Sequence, residues 1–325
     1  MGGVVICIQG PTASGKSELA EEIATRLDGE IVSADSMQVY RGMDVGTAKV
    51  PAASRAVPYH CIDILDPGEP YSASLFQRDA REAIEGIWSR GREAVLCGGT
   101  WLYVRAVLEE MDFAAGELAG NEVRERYEGV AEREGPEALH KILEERDPES
   151  AAAIHPNNVR RVVRALEMNE EGESYAERKR RFKAIPAHYP SVKLGLRVSR
   201  EILYERIDAR VDAMFSHGLL EEVSGLLEAG FREGLTAPQA IGYKEIVASL
   251  DGECTLEEAR DAIAQSTRRF AKRQMSWLRS DSSIHWIDAD GGVDESVVDE
   301  ALECIERYAC PNNPTREASR GSGAA

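Results

Sequence analysis

Eight consecutive residues, Gly10-Pro11-Thr12-Ala13-Ser14-Gly15-Lys16-Ser17, combine two glycines, a lysine and a hydroxyl at the spacing of a phosphate-binding loop. Gly10 and Gly15 let the backbone curl around a phosphate. Lys16 supplies a mobile positive charge, and the Ser17 hydroxyl is placed to ligate a phosphate-bound Mg²⁺. Such a loop grips a di- or triphosphate through its oxygens and does not read the group attached beyond them. Two further groups could do chemistry beside it. Asp35, in Asp35-Ser36-Met37-Gln38, is a candidate general base or metal ligand, although an aspartate there could equally cap the following turn. Thr100 follows Gly98-Gly99, where a substrate could approach the backbone closely.

These groups need elements that hold them together. The apolar run Val4-Val5-Ile6-Cys7-Ile8 predicts a buried strand leading into the loop, and Leu19, Ile23 and Leu27 predict a helix with one apolar face leading out of it. The free N–H groups at that helix start, and its dipole, favour an anion. Strands are predicted at Glu30-Ile31-Val32-Ser33, Glu93 to Cys97, Lys193 to Val198 and Ile284 to Ile287, and helices over 74–88, 122–133, 158–169, 200–229 and 256–278. Strand and helix alternate up to about Leu108, strands vanish from about Asp112 to Val192, and the alternation then resumes. The fold class is therefore α/β: a P-loop NTPase-like parallel sheet with helices on both faces and a helical insertion domain. The expected parts are 1–111, the first portion of the core; 112–192, the helical insertion; 193–310, the core continued with C-terminal helices; and 311–325, a polar tail expected to be disordered. Ligands bind at the carboxyl ends of the strands in such sheets, so the loop, Asp35 and Thr100 should converge.

Composition narrows the function. The 325 residues are 43% hydrophobic and 30% charged, ordinary for a folded protein, and no apolar run approaches the roughly 20 residues of a membrane span. Met1-Gly2-Gly3 leads directly toward a strand without a charged leader, so no membrane association and a cytoplasmic location are expected. Cys7, Cys61, Cys97, Cys254, Cys304 and Cys310 are scattered, without the close spacing of a zinc or redox site. The net charge of −18 argues at first against nucleic acid. Yet basic residues concentrate in Arg160, Arg161 and Arg164, in Arg178 to Lys183, and in Arg268, Arg269, Lys272 and Arg273. Each run alone reads as a solvated helix face; three of them in an acidic chain point to a local polyanion track.

The run Asp35-Ser36-Met37-Gln38-Val39-Tyr40-Arg41-Gly42-Met43-Asp44-Val45-Gly46-Thr47-Ala48-Lys49, joined to the phosphate loop, resembles the signature of the tRNA dimethylallyltransferases. Matches continue in order through Gly98-Gly99-Thr100, Arg161 to Glu167, Arg210 to Met214, Gly218 to Val223, Ala240 to Glu245 and Lys272 to Trp277, nearly the whole chain. The resemblance implies transfer of a dimethylallyl group from dimethylallyl diphosphate to N6 of the adenosine just 3′ of the tRNA anticodon, with release of diphosphate. It implies that Asp35 takes the amine proton, that Thr100 hydrogen-bonds the amine, that Arg124 approaches the diphosphate, and that Mg²⁺ is the cofactor. It also implies tRNA contacts from Asp35, Ser36, Met37 and Gln38, from Arg160, Arg161, Val162, Val163 and Arg164, and from Ala240, Ile241, Gly242, Tyr243, Lys244 and Glu245. For Lys272, Arg273 and Gln274 it implies contacts to the tRNA backbone or to diphosphate. Arg160 stands where many relatives carry Gln, and Ser276 and Leu278 replace a commoner Thr and Phe. The partners expected are the anticodon stem-loop of tRNA and dimethylallyl diphosphate, with the protein a monomer. A small-molecule phosphotransferase would share the loop and turn over ATP; a nucleotide switch or a non-catalytic tRNA binder would bind without turnover.

Overall fold

The computed structural model describes residues 3–113, 122–181 and 185–309. Contacts divide the chain into two compact units, one running to Leu108 and resuming at His188, the other Glu109–Ala187.

The first unit is built on a six-stranded sheet. In chain order its strands are β1 (Val5–Gln9), β2 (Gly29–Ser33), β3 (Tyr59–His60), β4 (Glu93–Gly98), β5 (Ser191–Arg197) and β6 (His285–Asp288), arranged spatially β3-β2-β4-β1-β5-β6. Every neighbouring pair is parallel. All five residues of β1 are buried, as expected of a strand covered on both faces. Its alternation splits two cores, Val5 and Cys7 facing one and Ile6 and Ile8 the other. The helix Lys16–Arg26 buries Leu19, Ala20, Ile23 and Ala24 against the second core. Ser72 caps the helix Ala73–Ser89 by accepting from the Leu75 N–H at 3.2 Å. Thr255 and Glu258 form a reciprocal capping box at the head of the long helix Leu256–Leu278.

The second unit is helical. Its helices Glu122–Glu134, Pro136–Arg146, Pro148–Ala153, Val159–Glu170 and Tyr175–Arg181 pack around Tyr127, Leu139, Leu143, Val162, Val163 and Leu166. Among its described residues the only extended pairing is the isolated bridge Glu109↔Ala187.

Several details depart from the sequence expectation, which also gave no pattern for the helices Trp101–Leu108, Tyr243–Leu250 and Glu295–Ala309. The second unit runs Glu109–Ala187 and not 112–192: Glu109 already pairs with Ala187, and Ser191 and Val192 pair with Val5 and Ile6 of the sheet. The helical run expected over 200–229 breaks into Arg200–Ser216 and Leu219–Glu228 at Gly218, whose φ of +91° suits glycine. The short edge strand β3 was not anticipated; its two residues are too few for any periodic signal. The tail expected at 311–325 lies outside the described residues.

Candidate active site

The loop, the second strand end and the fourth strand end meet as the parallel topology requires. Gly15 takes a φ of +91° as it opens the helix, and the Lys16 ammonium folds back to donate to the Pro11 carbonyl at 3.4 Å. Burial lowers the Lys16 pKa below the ordinary lysine value, and the negative charge of Asp35 works the other way. Gly98 lies against the backbone after β2, where an added Cβ would sit 2.1 Å from the Ala34 carbonyl oxygen. That close approach lets the Thr100 N–H donate to the Ala34 carbonyl at 3.2 Å and its hydroxyl oxygen accept from the Ser36 N–H at 3.1 Å.

Asp35 uses its two oxygens differently. Oδ1 accepts from the Met37 N–H at 2.9 Å and the Gln38 N–H at 3.4 Å, the turn-capping role. Among the described residues no hydrogen bond reaches Oδ2. The carboxylate lines two cavities. A small polar one of about 70 Å³ includes Lys16, Ser17 and Gln38 in its wall. A larger one of about 460 Å³ includes Ser36, Thr100 and Arg273, with Ile207, Val211 and Phe270 as apolar lining. Thr12, Asp35, Thr47, Arg210 and Phe270 belong to both walls, so they stand where the two join.

Arg210 was not singled out from the sequence. Its Nη1 donates to the Thr12 hydroxyl at 3.0 Å, and its buried Nε has no hydrogen-bond partner among the described residues. Burial lowers its pKa, and Asp35 opposes this. A half-buried guanidinium that remains charged at any ordinary pH, with its Nε unpartnered among the described residues, could meet an anion in the cavity. The signal was its place at the head of the Arg210 to Met214 match, without any reason to assign a role.

Long-range hydrogen bonds hold this geometry. The Gln274 carbonyl oxygen accepts from the Thr12 N–H at 2.9 Å, while its amide donates to the Gly99 carbonyl at 3.0 Å, so one buried side chain ties the phosphate loop to the Thr100 turn. Glu222 accepts from the Asp44, Val45 and Gly46 N–H groups and from the Tyr243 hydroxyl, at 2.9, 2.7, 3.1 and 2.6 Å. The buried Lys49 ammonium reaches Asp44 at 2.8 Å, Asp63 at 2.6 Å and the Tyr40 carbonyl. Gln38, its amide donating to the Thr47 carbonyl at 3.2 Å and its oxygen accepting from Ser33, is oriented by the same loop.

The other expected residues fall as follows. Lys244, Lys272 and Arg273 are exposed, Ile241 half-buried, and Ala240, Gly242, Tyr243 and Glu245 buried; the Glu245 carboxylate accepts from the Gly242 N–H at 2.8 Å. In the second unit Arg160 and Arg161 are exposed on the helix Val159–Glu170 while Val162 and Val163 are core. Arg164 donates to the buried Glu167 at 2.9 Å, and Arg124 binds the same carboxylate through two bonds of 2.7 and 3.2 Å. Burial would raise the Glu167 pKa, but the two guanidiniums bring it below the ordinary carboxylate value.

A glycine-rich loop between strand and helix, an acid and a threonine at neighbouring strand ends, and a half-buried arginine beside them define a P-loop-type α/β protein. Residues 38–281 match the family model described as IPP transferase. The tRNA dimethylallyltransferase of an Exiguobacterium species is 47% identical over 285 residues, 87% of this chain and 90% of that one. The solved tRNA isopentenylpyrophosphate transferase of Bacillus halodurans is 42% identical, with a TM-score of 0.69 over 94% of this chain and 98% of that one. A eukaryotic dimethylallyltransferase, solved in crystallographic snapshots acting on tRNA, is 27% identical, with a TM-score of 0.72 over 98% and 78% of the two chains. This chain belongs to the IPP transferase family and is a prenyl-transferring enzyme.

Proposed function

We propose that this enzyme transfers the dimethylallyl group of dimethylallyl diphosphate to N6 of the adenosine 3′ to the tRNA anticodon, position 37. The observation that carries the reading is Asp35, shared between a polar cavity lined by the phosphate loop and a larger one wide enough for a base. The relatives' activity on tRNA supports the substrate.

The diphosphate lies against the loop N–H groups, Lys16 and Arg210, and the apolar Ile207, Val211 and Phe270 receive the prenyl chain. Adenine N6 is a weak nucleophile because its lone pair is delocalised into the ring. It attacks C1 of the allyl group, the C1–O bond breaks, and diphosphate leaves with the bonding pair, stabilised by the preorganised cations. The proton released from N6 passes to Asp35 Oδ2, while Oδ1 stays locked in the Met37–Gln38 turn. Thr100, its hydroxyl already held by the Ser36 N–H, keeps a lone pair for the amine.

Ser17, half-buried in the wall of the small cavity, offers the hard oxygen that Mg²⁺ prefers. We propose it as the protein ligand of an ion that neutralises charge on the diphosphate. The base must leave its stack to enter, at a cost of a few kcal/mol that contacts to the stem-loop offset. Exposed Arg160, Arg161, Lys244, Lys272 and Arg273 supply phosphate contacts for this. We propose also that Arg124 acts on the diphosphate; comparing kcat with melting temperature in Arg124→Ala separates that role from its hold on Glu167. We propose that one copy of the enzyme acts alone.

The test is incubation with Mg²⁺, dimethylallyl diphosphate and an anticodon stem-loop RNA, followed by weighing the RNA. A mass gain of one prenyl group confined to the adenosine 3′ to the anticodon is expected. No gain, with ATP consumed under the same conditions, would hand the loop to a phosphotransferase.

A further inference from the structure

The pair Trp101 and Trp277 lies outside the machinery described so far. On the helix Leu256–Leu278, Phe270, Arg273, Gln274 and Trp277 recur at i, i+3, i+4 and i+7 and so share one face. Phe270 and Arg273 line the larger cavity, and Gln274 binds the Thr12 and Gly99 backbone. Trp277 stands about 6 Å further along the axis than Arg273. Its indole is stacked on that of Trp101, with ring centroids 4.7 Å apart and planes 23° from parallel. Trp101 directly follows Thr100, itself in the cavity wall, and the Arg105 guanidinium lies 4.8 Å from the Trp101 ring centroid. Despite this stacking Trp277 remains 44% exposed, and neighbouring Leu102 38%.

We propose that the exposed surface of Trp277 is a stacking platform for a nucleobase adjacent to the adenosine that enters the cavity. The inference rests on the reading of that cavity as the tRNA site. Extruding one base from a loop exposes a π-face on each neighbour, and single-stranded RNA is held by aromatic side chains that replace the lost stack. The platform is continuous with the cavity along one helix face, and the cations beside it, Arg273 one turn back on that face and Arg105 over the Trp101 ring, suit a phosphate backbone rather than an acidic or apolar protein partner. Its rear is already ordered by Trp101, so little freedom is lost when a base docks.

The test uses the full-length enzyme, Mg²⁺ and two anticodon stem-loop RNAs carrying 2-aminopurine on the 5′ or the 3′ side of the reacting adenosine. Binding should quench one probe. Trp277→Leu, which keeps apolar bulk without a stacking face, should abolish that quenching and weaken RNA affinity about 5- to 100-fold, raising KM for RNA while kcat stays near wild type. Trp277→Phe should restore most of both. An abasic residue at the stacked position should weaken wild-type binding to the same extent and cost Trp277→Leu little more, a comparison that stands even if the leucine variant lowers the melting temperature. Unchanged affinity and quenching in a Trp277→Leu enzyme that still transfers the prenyl group would overturn the platform and leave the reaction standing. Quenched binding without transfer by the wild type would do the reverse. A change in sedimentation with RNA affinity intact would assign the surface to contact between copies and overturn the proposal.

Discussion

One carboxylate oxygen of Asp35 is engaged in a turn, and the proposed proton transfer falls to the other. Oδ1 completes a turn through two backbone N–H groups, which fixes the side-chain orientation, and among the described residues Oδ2 accepts no hydrogen bond in a side chain that lines both cavities. Capping and proton transfer, alternatives at the level of sequence, are compatible because they use different oxygens. Asp35→Asn keeps an oxygen for the turn but removes the proton acceptor. It should lower kcat by ~10²–10⁴ with RNA affinity almost unchanged, and rapid-quench turnover at wild-type levels would refute the role. Lys16 carries a second prediction. Its folded pKa lies below the ordinary value, so the ammonium loses its proton earlier than a free lysine as pH rises. Affinity for inorganic diphosphate should be full below that lowered pKa and decline as pH passes through it, before the ~10.4 of an exposed lysine. Calorimetry across alkaline pH would show this, and a decline beginning only above the ordinary lysine range would count against it.

At the scale of elements, the loop between β2 and β3 is shaped by groups far away in the chain. Glu222 gathers three of its N–H groups and the Tyr243 hydroxyl, and Lys49 closes it from within. Gly46 lies flat on the fully buried Tyr243, where an added Cβ would stand 2.4 Å from a ring carbon. Gly46→Ala must displace that ring, at a cost of about 1–3 kcal/mol, and move Thr47 and with it Gln38. Urea denaturation should show the loss, and KM for RNA should rise; a variant as stable as wild type would contradict the packing argument. The elements themselves were largely legible. Strands β1 and β4 and the helices Ala73–Ser89, Val159–Glu170 and Leu256–Leu278 fall within a residue or two of their periodic patterns, because each buries one regular face. The break at Gly218 and the short β3 were not, since a single left-handed residue or a two-residue pairing leaves no period to read.

Over the whole molecule, acid is in excess and the cations are local. If Arg161, exposed in the second unit, meets a tRNA phosphate, Arg161→Ala should weaken RNA binding and reduce the slope of log affinity against log salt by about 1, leaving diphosphate affinity unchanged. Filter binding at several salt concentrations reads this, and an unaltered slope would remove Arg161 from the interface. Stability should also depend on acid pH. Glu30 and Glu167 are buried, which alone would raise their pKa values, but Arg90 with His60, and Arg124 with Arg164, bring both below the ordinary range. A carboxylate depressed in the folded state stabilises fully above its unfolded pKa of about 4.3, and that contribution is lost as pH falls through the folded value. Urea midpoints should therefore hold near neutrality and drop below about pH 4.5. Glu167→Gln should be less stable than wild type near neutral pH and show a shallower acid drop, whereas parallel curves would exclude the linkage.

Sequence by itself determined the phosphate loop, the parallel α/β architecture, the helical second unit and the candidacy of Asp35 and Thr100. All of these rest on local backbone geometry, periodicity and the rule that parallel strand ends face one edge. Only the tertiary structure decided that Arg210 reaches Thr12 across 198 positions and Gln274 across 262, that Glu222 shapes the Asp44–Gly46 turn, and that Trp277 stacks on Trp101. Side-chain chemistry names a group's capacity, but its partner is set by how the helices pack over the sheet, and that packing sums many weak apolar contacts with no counterpart at any single position.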